Sequence, residues 1–110
     1  MAGIERLGVQ KLTSSVAFGS GGTTLFTASD NYLVSVVATN LASTDASIYV
    51  YVIPSGATTE AQYALLAYSL TLPGYNSYET FRFAVNSGDV VKVAGSADVS
   101  YYIQGLDQVA

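Results

Sequence analysis

The stretch SIYVYVI, residues 47–53, decides the fold class of this chain. It is rich in β-branched and aromatic residues, which favour strands, and the turn residues Pro54-Ser55-Gly56 end it. Similar short alternating runs recur at intervals of about 8–12 residues, separated by turn residues. The other predicted strands are residues 23–27, 32–39, 65–72, 78–85, 90–94 and 98–104.

This pattern predicts an all-β chain folded as an antiparallel β-sandwich, jelly-roll-like, with seven or eight short strands. Residues 58–67 carry helix formers and are ambiguous between a short helical turn and a strand. With 110 residues, the chain is expected to form a single domain over 1–110. Residues 1–22 are less patterned and are predicted to form an N-terminal arm or an edge strand.

Composition excludes several kinds of catalytic and metal site. The chain has no Cys and no His, which rules out disulfides, cysteine nucleophiles, His-based triads and zinc sites with thiolate or imidazole ligands. Its carboxylates are scattered singly, mostly in turns, which argues against a glycosidase pair or a calcium loop. The run GSGGTT, residues 19–24, lacks the Lys of a phosphate-binding loop. We therefore expect no enzymatic activity, no cofactor and no metal.

The charge balance bears on partners. A net charge of −4, with only four Lys and Arg residues, argues against a nucleic-acid binder. The N-terminus is interrupted by Glu5, Arg6 and Lys11, so that we recognise no secretory signal. No uncharged apolar stretch approaches the ~18 residues of a membrane-spanning helix, and we expect no membrane partner.

Both faces of the 47–53 strand are apolar, although only one face of a sandwich strand meets the core. The faces are Ile48, Val50 and Val52 on one side and Tyr49, Tyr51 and Ile53 on the other. The second face is expected to be covered by a loop or the N-terminal arm, to lie exposed, or to form a subunit interface, since Tyr is enriched in interfaces. A sugar-stacking platform is a weaker alternative. Low charge favours the interface, because few Lys and Pro residues guard the sheet edges.

Three segments resemble a family of small structural proteins of tailed bacteriophages. They read TTLFTASDNYLVSVVATN, IYVYVIPSGATTEAQYALLAYSLTLP and YETFRFAVNSGDVVKVAGSADVSYYIQGLDQ, and together span about residues 23–108. The family's turn and strand motifs match at Phe83, Ala84, Gly88, Asp89, Val91, Val99, Ser100 and Gly105. The chain departs from the family at Ala28-Ser29-Asp30, where a Pro-containing turn is typical.

The resemblance implies a non-enzymatic virion protein, most directly a capsid decoration (cement) protein. Such proteins are often homotrimeric and bind the major capsid protein or another virion protein, so the expected location is the virion. The residues expected at the oligomer or shell interface are Tyr49, Tyr51, Ile53, Tyr102, Ile4, Leu7 and Val9. The alternative is a tail-fibre or receptor-binding adaptor that recognises a host surface glycan, through Tyr75 and Tyr78 in the loop after Pro73.

Overall fold

A computed structural model of the chain describes residues 4–57 and 65–107. This part contains nine strands and no helix. The strands are β1 (Ile4–Leu12), β2 (Thr23–Thr27), β3 (Tyr32–Asn40), β4 (Ala46–Ile53), β5 (Leu65–Leu72), β6 (Ser77–Glu79), β7 (Phe83–Val85), β8 (Val90–Gly95) and β9 (Val99–Asp107). The ambiguous stretch 58–67 lies mostly outside the described residues, and its last three residues belong to β5.

The strands form two antiparallel sheets. In the five-stranded sheet the order is β1-β9-β3-β6, with β7 also paired to β3, and in the four-stranded sheet it is β2-β8-β4-β5. Because β6 and β7 pair with successive halves of β3, they occupy one strand position. The resulting eight positions follow the strand order of a jelly roll. The fold class predicted from the sequence is confirmed, and the N-terminal region supplies the edge strand β1.

The inner faces of the central strands build the core. Alternate residues of β3 and β9 are almost fully buried, as the period of two predicts. They are Val34, Val36 and Ala38 in β3, and Val99, Tyr101 and Ile103 in β9. The hydroxyl of Tyr101 donates to the Ala94 carbonyl oxygen at 3.3 Å, and burial raises the pKa of this phenol above its ordinary value.

The prediction of a single strand over residues 78–85 is wrong, because two short strands occupy this region. β6 ends at Glu79 and β7 begins at Phe83, with Thr80 buried between them. The Thr80 amide donates to the Val36 carbonyl, and Thr80 Oγ1 accepts a hydrogen bond from the Val36 amide, both at 2.9 Å. One threonine therefore bonds both backbone groups of Val36. The sheet edge is interrupted, and Phe81, which lies between the two strands, is 69% exposed.

A bulge in β5 breaks the strict alternation of faces over residues 65–72. Ile48 pairs with Leu70 and Val50 pairs with Ala67, so Tyr68 and Ser69 together lie opposite the one residue between them on β4. An extra residue reverses the faces that follow it. Ala67 is therefore buried, whereas Tyr68, which strict alternation would place on the same face as Leu70, is 62% exposed. Ser69 adopts a left-handed φ of 49° at this point.

Candidate interaction surfaces

Four aromatic rings pack together on the outer face of the four-stranded sheet, and we call them the aromatic cluster: Phe18, Tyr49, Tyr51 and Tyr68. Phe18 stacks on Tyr49 with ring centroids 5.1 Å apart, and it meets Tyr51 edge-on at 5.2 Å. Tyr68 meets the rings of Tyr49 and Phe18 edge-on, at 5.3 and 5.6 Å. These offset and edge-to-face geometries are the ones that aromatic quadrupoles favour.

The N-terminal segment covers much of this face. Val16 and Gly95 exchange two backbone hydrogen bonds of 2.8 Å, which fixes the segment across the sheet and brings Phe18 over β4. Tyr51 is fully buried and Ile53 is 8% exposed. The expectation that these two side chains contact another subunit is wrong, because the chain itself covers them; the alternative of a covering N-terminal arm is the correct one here.

Within the glycine run of residues 19–22, Gly22 lies against the aromatic cluster. Gly22 has a φ of +62°, and a Cβ at this position would collide with the Tyr51 hydroxyl. Lys92 Nζ donates to the Gly21 carbonyl oxygen at 2.7 Å, which ties the same turn to β8. Packing therefore favours glycine at residue 22, whereas at Gly19 and Gly21 a Cβ would meet nothing and the positive φ of +97° and +107° favours glycine.

Tyr68 is the most exposed ring of the aromatic cluster, at 62%. Phe18 and Tyr49 are both half-buried. Tyr68 was absent from the residues predicted at an interface, because its exposure depends on the β5 bulge. Residues 65–72 contain no Gly that would signal a bulge in the sequence.

A second surface lies on the outer face of the five-stranded sheet, on the other side of the sandwich. Ile4, Val9 and Tyr102 are 67%, 51% and 39% exposed there. Val9 pairs with Tyr102, which pairs in turn with Val37, so an apolar row crosses three strands. Leu7 does not join this surface: a register shift between Arg6 and Gly8 turns it towards the core, against which it packs. Its predicted interface role is wrong.

The same face carries a small pocket and most of the basic residues. The pocket has a volume of about 50 Å³, and its lining includes Ile4, Leu33, Leu106, Arg82 and Gln104. This volume is far below the ~300 Å³ of a typical small-molecule site and suits the tip of one side chain. Three of the chain's four Lys and Arg residues lie on this face, which we call the basic sheet face; they are Arg6, Lys11 and Arg82.

A third surface is formed by loops at one end of the sandwich. The Tyr75 amide donates to the Ala42 carbonyl at 3.0 Å, and the Leu41 amide donates to the Asp98 carbonyl at 2.9 Å, so three loops are tied together. Leu41 is 48% exposed and Tyr75 is 74% exposed. Asp45 and Asp98 are also exposed, and the three loops, residues 41–45, 73–76 and 96–98, contain no Lys or Arg. We call this surface the acidic loop end.

Only one of the two tyrosines predicted as a loop contact is freely presented. Tyr78 lies in β6, packs against the core and donates its hydroxyl to the Leu66 carbonyl at 3.5 Å. Its predicted role as a loop contact is wrong, since the ring belongs to the packing of the sandwich. Tyr75 alone of this pair offers an exposed ring.

The carboxylates of Asp30 and Asp89 accept hydrogen bonds from backbone amides in or next to their turns. Asp89 Oδ1 accepts a hydrogen bond from the Ser55 amide, and Asp89 Oδ2 accepts one from the Asn86 amide, both at 2.9 Å. Asp30 Oδ1 accepts a bond from the neighbouring Asn31 amide at 2.8 Å. In residues 4–57 and 65–107, no three acidic side chains converge into a group able to hold a metal ion.

In the described part of the chain, no helix has the length and apolar character needed to span a membrane.

No protein-family model matches this chain, and no curated protein shows significant sequence similarity to it.

Proposed function

We propose that this chain is a non-enzymatic structural protein of a tailed-bacteriophage virion: a capsid decoration (cement) protein that oligomerises and binds the assembled shell. The observation that carries the proposal is the presence of exposed apolar side chains on both outer faces of the sandwich. Tyr68 lies on one face, and Ile4 and Val9 lie on the other. Contiguous exposed apolar surface on a soluble protein marks a site of interaction.

Two faces allow one subunit to contact two neighbours at once. A protein that binds only the assembled shell stabilises that state by mass action, and no chemical step is needed. Linked contacts raise the overall avidity above that of either contact alone. The low charge of the chain supports the same view, because a chain in which only 11% of the residues are charged has little to oppose apolar association.

The sequence resemblance supplies the setting of this proposal, and the jelly-roll strand order is compatible with it. Jelly rolls serve as viral capsid domains and also as lectins, so the fold by itself does not choose between the two functions. The choice rests on the residues that the fold exposes.

Particles depleted of this protein test the proposal. Adding back the purified chain is expected to raise the temperature at which the particles release their genome. A chain with Tyr68→Lys and Val9→Lys, which places a charge on each apolar face, should lose this effect while keeping the wild-type circular dichroism spectrum. Ser87→Lys is a suitable control, since Ser87 is exposed in the turn between β7 and β8, outside the surfaces described above. Particles equally stable with and without the chain would contradict the proposal.

A receptor-binding adaptor that recognises a host glycan is the second candidate. Tyr75, whose ring is 74% exposed, favours it, because an exposed aromatic ring in a loop can stack on a sugar. This function predicts measurable binding to host surface polysaccharide, lost in Tyr75→Ala, and antibody labelling at the tail. Labelling confined to the head, with no binding to a glycan array, would eliminate it.

A further inference from the structure

The basic sheet face and the acidic loop end complement each other in charge and in apolar character. We propose that the basic sheet face of one copy binds the acidic loop end of a second copy, head to tail. This inference rests on the proposed function only in requiring that the chain oligomerises; it specifies which surfaces meet.

The distribution of charge is the first support. Arg6 and Arg82 flank the same cross-strand row on the five-stranded sheet: Arg6 pairs with Gln104, and Arg82 lines the pocket beside that residue. The described acid on this face is Glu79, so the face is basic in a chain whose net charge is −4. The acidic loop end carries Asp45 and Asp98, and its three loops contain no Lys or Arg. The nearest cation on β1 is Lys11, since the Asp98 amide donates to the carbonyl of the adjacent Leu12. Opposite potentials of this kind set the register of an interface.

The apolar side chains are the second support. The pocket beside Arg82 has an apolar wall formed by Ile4, Leu33 and Leu106, and its volume of about 50 Å³ suits the tip of a single side chain. The acidic loop end presents Leu41 beside its carboxylates, 48% exposed. A carboxylate near an arginine gains a charge-assisted hydrogen bond, and an apolar side chain beside it gains burial.

The positions of the two surfaces determine the symmetry of the contact. Leu33, in the pocket, lies at the start of β3, whereas Leu41 follows the end of the same strand. The pocket with Arg82 and the acidic loop end therefore lie at opposite ends of β3 and do not meet within one copy. Lys11, which pairs with Ser100, is the residue of the basic sheet face that lies nearest the acidic loop end. A contact between two different patches is heterologous and closes into a ring if the rotation permits. Two basic faces placed against each other would instead oppose like charges.

Charge reversal tests the contact in the purified full-length chain. Sedimentation velocity over a range of concentrations gives the self-association constant of the wild type, of Arg82→Glu and of Asp45→Lys. Each single reversal is expected to weaken association by roughly tenfold, since it places like charges together. The double variant Arg82→Glu/Asp45→Lys restores opposite charges and should recover most of the affinity. If the single substitutions only disturbed the fold of the chain, the second charge reversal would not be expected to restore the affinity.

A matched pair controls for the loss of positive charge in general. Arg82→Gln and Lys92→Gln each remove one cation, but Lys92 lies on β8 in the other sheet. Only Arg82→Gln should weaken association, and raising the salt concentration should weaken the wild type towards the level of that variant.

The outcomes separate this inference from the proposed function. Association that is unaffected by either reversal, or a double variant no better than the single ones, overturns the head-to-tail contact and leaves oligomerisation standing. A chain that stays monomeric but still stabilises depleted particles also overturns the contact, and shows that the exposed surfaces meet the shell. A chain that neither associates nor stabilises particles overturns both.

Discussion

The ring of Phe18 stacks on the ring of Tyr49, with centroids 5.1 Å apart, and this contact joins the N-terminal segment to the outer face of the four-stranded sheet. Because of this contact, both apolar faces of β4 are packed: one against the core and the other against the N-terminal segment. Tyr51 is buried as a result, while Tyr49 and Tyr68 stay accessible at the margin of the cluster.

Phe18→Ala is expected to destabilise the chain by about 2–4 kcal/mol, because it removes three ring contacts and uncovers Tyr51. Urea unfolding followed by circular dichroism measures the change. Phe81→Ala is the matched control: this ring is 69% exposed, and its removal should change stability by no more than about 0.5 kcal/mol. Equal effects of the two substitutions would show that Phe18 does not hold the N-terminal segment in place.

Gly22→Ala should destabilise the fold, since the added methyl group meets the Tyr51 hydroxyl and the backbone has a φ of +62°. Overpacking of this kind costs about 1–3 kcal/mol. In a Tyr51→Phe background the hydroxyl is absent, and the cost of Gly22→Ala should fall by about 1 kcal/mol or more. A double-mutant cycle of unfolding free energies measures the difference. Strict additivity of the two substitutions would mean that the collision is avoided.

Thr80→Val is expected to cost about 1–3 kcal/mol, because it keeps the shape of the side chain but leaves the buried Val36 amide without its acceptor. Thr80→Ser retains the hydroxyl and should cost less. Denaturant midpoints rank the two variants, and Thr80→Ser less stable than Thr80→Val would contradict this role of the hydroxyl.

Stability should fall at alkaline pH because of Tyr101. Burial raises the pKa of this phenol in the folded chain, whereas the unfolded chain titrates near the ordinary value of about 10. Above that pH the unfolded state binds fewer protons than the folded state, so the free energy of unfolding decreases, by up to about 1.4 kcal/mol per pH unit. Below that pH the Tyr101 phenol is protonated in both states, so its contribution to stability is fully present.

Tyr101→Phe isolates the contribution of that group. The variant loses the hydrogen bond to Ala94 and is expected to be less stable at neutral pH, yet its stability should fall less steeply above pH ~10. Urea midpoints measured across the alkaline range give both slopes. Parallel slopes for wild type and variant would rule out Tyr101 as the titrating group.

Local pattern was sufficient to predict most of the strands and, in β3 and β9, the alternation of buried and less buried residues. Val34, Val36 and Ile103 alternate with less buried neighbours, and burial follows that alternation. The sandwich followed from the number and spacing of such runs, together with the absence of a long amphipathic segment.

The errors arose where distant residues decide the outcome. The exposure of Tyr68 depends on how β5 pairs with β4, and the break at Thr80 depends on hydrogen bonds to Val36 of β3. The burial of Tyr51 depends on Phe18, which the sequence placed in an arm of unspecified course. The three surfaces likewise combine residues from separate strands and loops, so none of them is a sequence motif.

The mass of the purified chain in solution, measured alone and then with depleted particles, tests the central claim most directly. We predict an oligomer at micromolar concentration that binds particles in stoichiometric amount and raises their thermal stability. A chain that remains monomeric at every concentration, and that leaves both the mass and the stability of the particles unchanged, would contradict the claim.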